Sequence, residues 1–139
     1  PALMATLCVG CTPQYVVEPT RRAHFDAFPG LLFRSFEETC TPPDKILTRP
    51  GTGIVECNLL MSPEDTAYVI LRYDGYPQDL PTLVTRLSAS QVADGYLVEV
   101  DAYLTVPQKS GPAVRVGFES PSMDRLFTEM LTRAGGEPR

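Results

Sequence analysis

The fold class is decided by the stretch YLVEVDAYLTV, which spans residues 96–106. Apolar side chains alternate with mostly polar ones along it, and this period of two is typical of a β-strand with one buried face. The apolar positions are Tyr96, Val98, Val100, Ala102, Leu104 and Val106, and the intervening ones include Glu99, Asp101, Tyr103 and Thr105. Because half-buried strands belong to antiparallel sheets, the stretch predicts such a sheet.

A second alternating segment follows the turn at residues 107–112. Its apolar residues are Val114, Val116 and Phe118, and Arg115, Gly117 and Glu119 stand between or after them. The two segments together predict a β-hairpin. Across this hairpin we expect Glu99 or Asp101 to pair with Arg115, which would help to set the register. Tyr103 shares that polar face and is expected to be exposed unless another element covers it.

Two helices are predicted to cover the apolar face of the sheet. The first spans residues 29–39 and starts at a proline, which suits a first helical turn. The second begins near Ser120 or Ser122 and ends before Gly135-Gly136. Its apolar stripe consists of Met123, Leu126, Phe127, Met130 and Leu131.

The remaining apolar runs are read as strands over residues 54–61, 67–73 and 82–92, and residues 45–49 are a candidate for a further short strand. Residues 62–65, Ser-Pro-Glu-Asp, are interpreted as a short connection between two strands. Residues 82–92 also fit a helix, but their Thr, Val and Ser content favours a strand. The predicted fold is α+β, with an antiparallel sheet of four to five strands packed against an N-terminal and a C-terminal helix. Residues 20–139 form its single globular domain, and residues 1–19 are a leader or an extended segment.

Composition limits the classes of function. The chain has 139 residues, 43% of them hydrophobic and 21% charged, which is ordinary for one globular domain. Its formal net charge of -5 has the wrong sign for a protein that binds nucleic acid by neutralising phosphates. Nucleic acid is therefore not expected as a partner.

The first eleven residues are apolar and uncharged, and they end in Leu7-Cys8-Val9-Gly10-Cys11. This stretch resembles the lipobox of bacterial lipoproteins, although the leucine stands one position earlier than usual. The resemblance implies a cleaved leader, a lipid anchor on Cys11 and a place in the periplasm or cell envelope. The body then retains Cys40 and Cys57, and an oxidising compartment implies a disulfide between them.

Three other interpretations of the cysteines remain open. Cys8 and Cys11 could form half of a zinc site or a redox pair, although no second closely spaced pair follows them. Alternatively, the opening segment is a buried strand and all four cysteines are reduced core residues.

The sequence contains no motif for a catalytic triad, a phosphate loop, a dinucleotide site or a zinc protease. Its single histidine, His24, is interpreted as a surface or capping residue. No catalytic residue, metal ligand or cofactor is predicted.

The loop Tyr73-Asp74-Gly75-Tyr76-Pro77 is the segment most like a recognition site, because tyrosines on a tight turn often anchor interfaces. We expect a non-enzymatic accessory domain that binds a protein partner and meets the membrane only through a lipid anchor. Its candidate contact residues are Tyr73, Tyr76, Tyr103, Glu99, Asp101 and Arg115. The alternative is a small cytosolic or viral assembly factor or enzyme subunit with a native start near Met4.

Overall fold

A computed structural model describes residues 20–118 and 120–139. Its elements in chain order are β1 (Arg22–Phe25), α1 (Gly30–Thr39), β2 (Lys45–Gly51), β3 (Ile54–Leu60), α2 (Pro63–Arg72), β4 (Thr82–Val92), β5 (Gly95–Val106), β6 (Val114–Gly117), α3 (Pro121–Arg133) and β7 (Glu137–Pro138). The predicted α+β class and antiparallel sheet are confirmed. The lipobox-like stretch and Cys11 lie outside the described residues.

The alternating stretch forms the predicted strand, β5, which lies near the middle of the sheet. The strand order is β2-β3-β4-β5-β1-β7, and β6 also pairs with β5. Every described pairing is antiparallel. The sheet has seven strands rather than the expected four to five, because the short strands β1 and β7 were not predicted.

One face of the sheet carries the core, and we call it the helix face. Val100 of β5 pairs with Leu87 of β4, which pairs in turn with Val55 of β3, and all three are buried. Helix α1 packs on them through Phe33, and α3 does so through Phe127 and Leu131. Alternation along the strands thus directs these apolar side chains to one side, where the helices cover them.

The second helix corrects the prediction of a strand over residues 67–73. Ser62 caps α2 by accepting a hydrogen bond from the Asp65 backbone N–H at 3.1 Å, and Pro63 occupies the first turn. The stretch read as a connection is therefore a helix start. Val69 is the buried residue of α2, and it packs against Leu104 and Val106 at the far end of the helix face.

The C-terminal helix was predicted correctly, but one member of its stripe was not. Phe127 and Leu131 are buried, whereas Leu126 is 62% exposed. Leu126 lies at the edge of the stripe, about 100° around the helix from the buried Phe127, so its side chain is directed away from the core.

A disulfide between Cys40 and Cys57 joins the C-terminal end of α1 to β3, with 5.7 Å between the two Cα atoms. Cys40 caps the helix, and its backbone N–H donates to the Glu37 carbonyl. The bond therefore holds the helix against the sheet. None of the helices in the described part of the chain is long and apolar enough to span a bilayer.

Candidate functional site

The second face of the sheet carries charged and polar side chains, and we call it the polar face. The described helices all bury their core residues on the opposite side. On the polar face, Glu56 of β3 pairs with Arg86 of β4, which in turn pairs with Asp101 of β5. Three strands thus bring charged side chains side by side.

Tyr103 is the centre of this arrangement. Its hydroxyl donates a hydrogen bond to Glu56 Oε1 at 3.0 Å. Arg86 Nη1 donates to the same oxygen at 2.8 Å, so the carboxylate accepts from both neighbours. The Glu56 and Arg86 side chains are only 16% and 29% exposed, which reduces solvent screening of their attraction.

Arg115 lies over the ring of Tyr103, with its guanidinium carbon 3.9 Å from the ring centroid. The predicted hairpin is confirmed, but the predicted pairing of Arg115 with Glu99 or Asp101 is wrong. The hairpin closes at Val106 opposite Val114, and this register places Arg115 opposite Thr105. The long side chain then reaches the neighbouring aromatic ring instead of a carboxylate.

Tyr103 is only 2% exposed, so the exposed aromatic that we expect on an uncovered face is not present here. Burial raises the pKa of Tyr103 above its ordinary value of 10.0, and the hydrogen bond to Glu56 raises it further. The positive charge of Arg115 and hydrogen bonding with Arg86 act in the opposite direction. The ring is thus a neutral support for the arginine above it.

The raised pKa predicts a loss of stability in alkali. Below pH 10.0, Tyr103 keeps its proton in both the folded and the unfolded chain. Above that value the unfolded chain releases the proton first, so the free energy of unfolding falls as pH rises towards the folded-state pKa. Urea unfolding at about pH 9 and about pH 11 should therefore show a smaller fall for Tyr103→Phe than for the wild type.

The matched control for this measurement is Tyr68→Phe, because Tyr68 is 66% exposed on α2. It should keep the wild-type dependence on pH. An equal fall in Tyr103→Phe and the wild type would show that Tyr103 does not ionise differently in the folded state.

Asp101 takes part in a second cluster, where β1 and β6 leave a gap along the same edge of β5. Arg21 fills this gap: Nη1 donates to Asp101 at 3.0 Å, Nε donates to Asp124 of α3 at 2.6 Å, and Nη2 donates to the Phe118 carbonyl. Arg21 also lies over the Phe127 ring, 5.5 Å from its centroid. Asp101 therefore joins the edge of the sheet to α3 through Arg21.

Glu99 lies at the margin of the polar face. Its carboxylate is 4.0 Å from Arg22 Nε on β1, and both side chains are more than half exposed. A surface ion pair of this length contributes little to stability. Of the four polar-face candidates, Arg115 makes no ion pair within 4 Å in residues 20–118 and 120–139, whereas both carboxylates do.

The tyrosine loop does not join the polar face. Tyr73 packs with Val69 and Val106 on the helix face. The Tyr76 backbone N–H donates to the Pro107 carbonyl at 2.8 Å, and the Gln108 side chain donates to the Tyr73 carbonyl at 3.3 Å. These bonds fix the loop against the end of β5. The structure thus separates the two predicted contact regions.

His24 is buried rather than at the surface, which corrects the sequence interpretation. Its Nε2 lies 3.1 Å from Asp94 Oδ1, but out of line for a hydrogen bond, and it has no other partner among the described residues. Nδ1 is 3.9 Å from Asp26. The disulfide removes Cys40 and Cys57 as thiolate partners for a cysteine–histidine pair.

The disulfide also excludes a zinc site built from all four cysteines, because zinc binds thiolates. Within residues 20–118 and 120–139, no three histidine, cysteine, aspartate or glutamate side chains are placed to hold a metal ion. No protein-family model, curated protein or solved structure matches the chain.

Sequence reasoning missed three residues that organise these clusters: Glu56, Arg86 and Arg21. Glu56 follows the buried Val55 in β3, and Arg86 precedes the buried Leu87 in β4. The alternation of polar and apolar residues in each strand indicates that Glu56 and Arg86 lie on a polar face, but only the strand register shows that they are neighbours. Arg21 gave no signal, because its role depends on contacts with residues about a hundred positions away.

Proposed function

We propose that this chain is a non-enzymatic accessory domain that binds a protein partner through the polar face. The observation that carries the proposal is Arg115, a cation stacked on a buried aromatic ring and not paired with a described carboxylate. Stacking leaves the in-plane N–H groups of a guanidinium available, and these match a carboxylate. The partner surface should therefore present an acidic side chain at Arg115.

Apolar residues on the same face support a protein rather than a small ligand. Ile46 pairs with Asn58 and Leu60 pairs with Thr82, which places both apolar side chains on the polar face. They are 52% and 40% exposed. Interfaces combine buried apolar contacts with an arginine or aromatic anchor, and this face offers both.

We also propose that the domain works in the periplasm or cell envelope, with a lipid anchor at Cys11. The disulfide between Cys40 and Cys57 supports an oxidising compartment, because the cytosol keeps such thiols reduced. The lipobox-like Leu7–Cys11 stretch supports the anchor. The disulfide favours this location over the cytosolic alternative.

Site-specific photo-crosslinking in the native host tests the docking surface. A photoreactive residue replaces Ser88 on the polar face or, as the control position, Glu129 on the exposed side of α3. We expect one discrete cross-linked protein from position 88, none from 129, and loss of the product when Arg115→Glu reverses the charge.

The matched control for charge reversal is Arg125→Glu, an exposed arginine on α3. This variant should keep the cross-link. A product that forms equally at both positions, or that survives Arg115→Glu, would contradict docking on the polar face.

The mass of the intact protein from cell membranes tests the anchor separately. A diacylated or triacylated chain beginning at Cys11, lost in Cys11→Ser, is the expected result. An unprocessed chain with four free thiols would overturn both the anchor and the location, whereas the cross-linking result would still decide the docking surface.

A further inference from the structure

A groove that is open to solvent remains on the helix face beside the C-terminal end of α1. It has a volume of about 270 Å³ and is lined by Phe36, Thr39, Lys45, Cys57, Leu59, Leu83 and Thr85. The sheet forms its floor, since Cys57 pairs with Thr85 and Leu59 pairs with Leu83. This groove lies on the opposite side of the sheet from the polar face.

The groove exists because the helices cover the two ends of this face and not its middle. Helix α1 ends at Thr39, where the disulfide ties Cys40 to the sheet. Helix α2 packs farther along, against Leu104 and Val106. The floor residues between them are only half-buried, although Leu59 and Leu83 are large and apolar. Disulfide and helix packing thus hold the groove open.

Lys45 supplies the only formal charge in the lining. Its ammonium donates one hydrogen bond, to the Thr39 carbonyl at 3.2 Å. It makes no ion pair within 4 Å in the part of the chain that the structure describes. Since an ammonium has three donors, two remain for an anion. An apolar floor with one cation at its edge is complementary to an amphiphilic anion.

We propose that the groove binds a medium-chain carboxylate, with its alkyl tail on Phe36, Leu59 and Leu83 and its carboxylate at Lys45. The volume is several times that of one water molecule, about 30 Å³, so the groove accommodates a short alkyl tail, and its open side lets a longer tail extend into solvent. This site is independent of the polar face and of the proposed protein partner.

Titration of the disulfide-bonded protein with octanoate tests the site, followed through the methyl NMR signals of Leu59 and Leu83. Butanoate and hexanoate serve as shorter probes. Affinity should rise with chain length, by at most about four-fold for each added methylene. Octylammonium, which carries the opposite charge on the same tail, should bind more weakly than octanoate.

Two variants separate the cation from the floor. Lys45→Met should weaken octanoate binding by up to about five-fold, as expected for a partly exposed ion pair. Lys109→Met is the matched control, because Lys109 is the other lysine and lies in the loop after β5. Thr85→Phe should fill the groove and abolish binding, and its far-ultraviolet circular dichroism should report an intact fold.

The proposal is overturned if no methyl signal shifts with octanoate up to about 10 mM. It is also overturned if affinity does not depend on chain length, or if folded Thr85→Phe binds octanoate like the wild type. Equal loss of affinity in both lysine variants would show that net charge, and not Lys45, attracts the anion.

Discussion

Replacing Cys40 and Cys57 together by serine is expected to lower the free energy of unfolding by about 3 kcal/mol. The two cysteines are 17 residues apart in sequence, and their disulfide restricts the unfolded chain by closing that loop. In the folded state the same bond holds α1 on the sheet. Urea unfolding of both proteins under oxidising conditions measures the difference.

A reducing agent provides the internal control for this prediction. It should lower the stability of the wild type to that of the double variant and leave the double variant unchanged. Equal stability of the two proteins before reduction would mean that the disulfide is not formed in the purified protein.

Leu131→Ala is expected to destabilise the fold by about 3 kcal/mol, within the usual range of about 2 to 5 for a buried leucine. The Leu131 side chain is 1% exposed and belongs to the core between α3 and the sheet. Truncation would leave a cavity that the neighbouring side chains fill only in part. Chemical unfolding at neutral pH gives the change directly.

The control lies on the same helix. Leu126 is 62% exposed, and Leu126→Ala should change the free energy of unfolding by no more than about 0.5 kcal/mol. The two substitutions remove the same atoms from one helix, so helix propensity cancels between them. A comparable loss in both variants would show that the outer side of α3 is also covered in solution.

Local patterns were sufficient to predict most of the long elements. Strand β5 was predicted because a period of two runs through residues 96–106, and α3 because serines near its start, a helical stripe and two glycines agree, although the Ser120 side chain makes no capping hydrogen bond in the structure. The residues that favour each of these two elements lie within the element itself or directly beside it. The same holds for α1 and β3, whose predicted bounds each differ from the observed ones by one residue; the bounds of β4 agree, although its sequence also fits a helix.

Helix α2 could not be identified in this way, because its apolar run has no decisive period. Residues 67–71 are Ala-Tyr-Val-Ile-Leu, and such runs fit a strand as well as a helix. Ser62-Pro63 is equally ambiguous, since it favours both a turn and a helix cap. Only the hydrogen bond from the Asp65 backbone N–H to the Ser62 side chain and the packing of Val69 identify the segment as a helix.

The polar face was anticipated in its composition but not in its contacts. The alternation in β5 correctly placed Glu99, Asp101 and Tyr103 on one side. The partner of each depended on register and on remote segments: Arg22 lies beside Glu99, Arg21 bonds to Asp101, and Arg115 covers Tyr103. A single sequence carries no local signal for such pairings.

The position of β1 between β5 and β7 has a consequence for the order of assembly. The two residues just before it make contacts over long separations, 80 residues from Arg21 to Asp101 and 119 residues from Thr20 to Arg139. The pairs β2–β3, β4–β5 and β5–β6 join neighbours in the chain. Because loop closure costs more entropy at larger separation, we expect these hairpins to form early and β1 to add late. Strand β1 would then complete its pairing only after β7, at the C-terminal end, has folded against it.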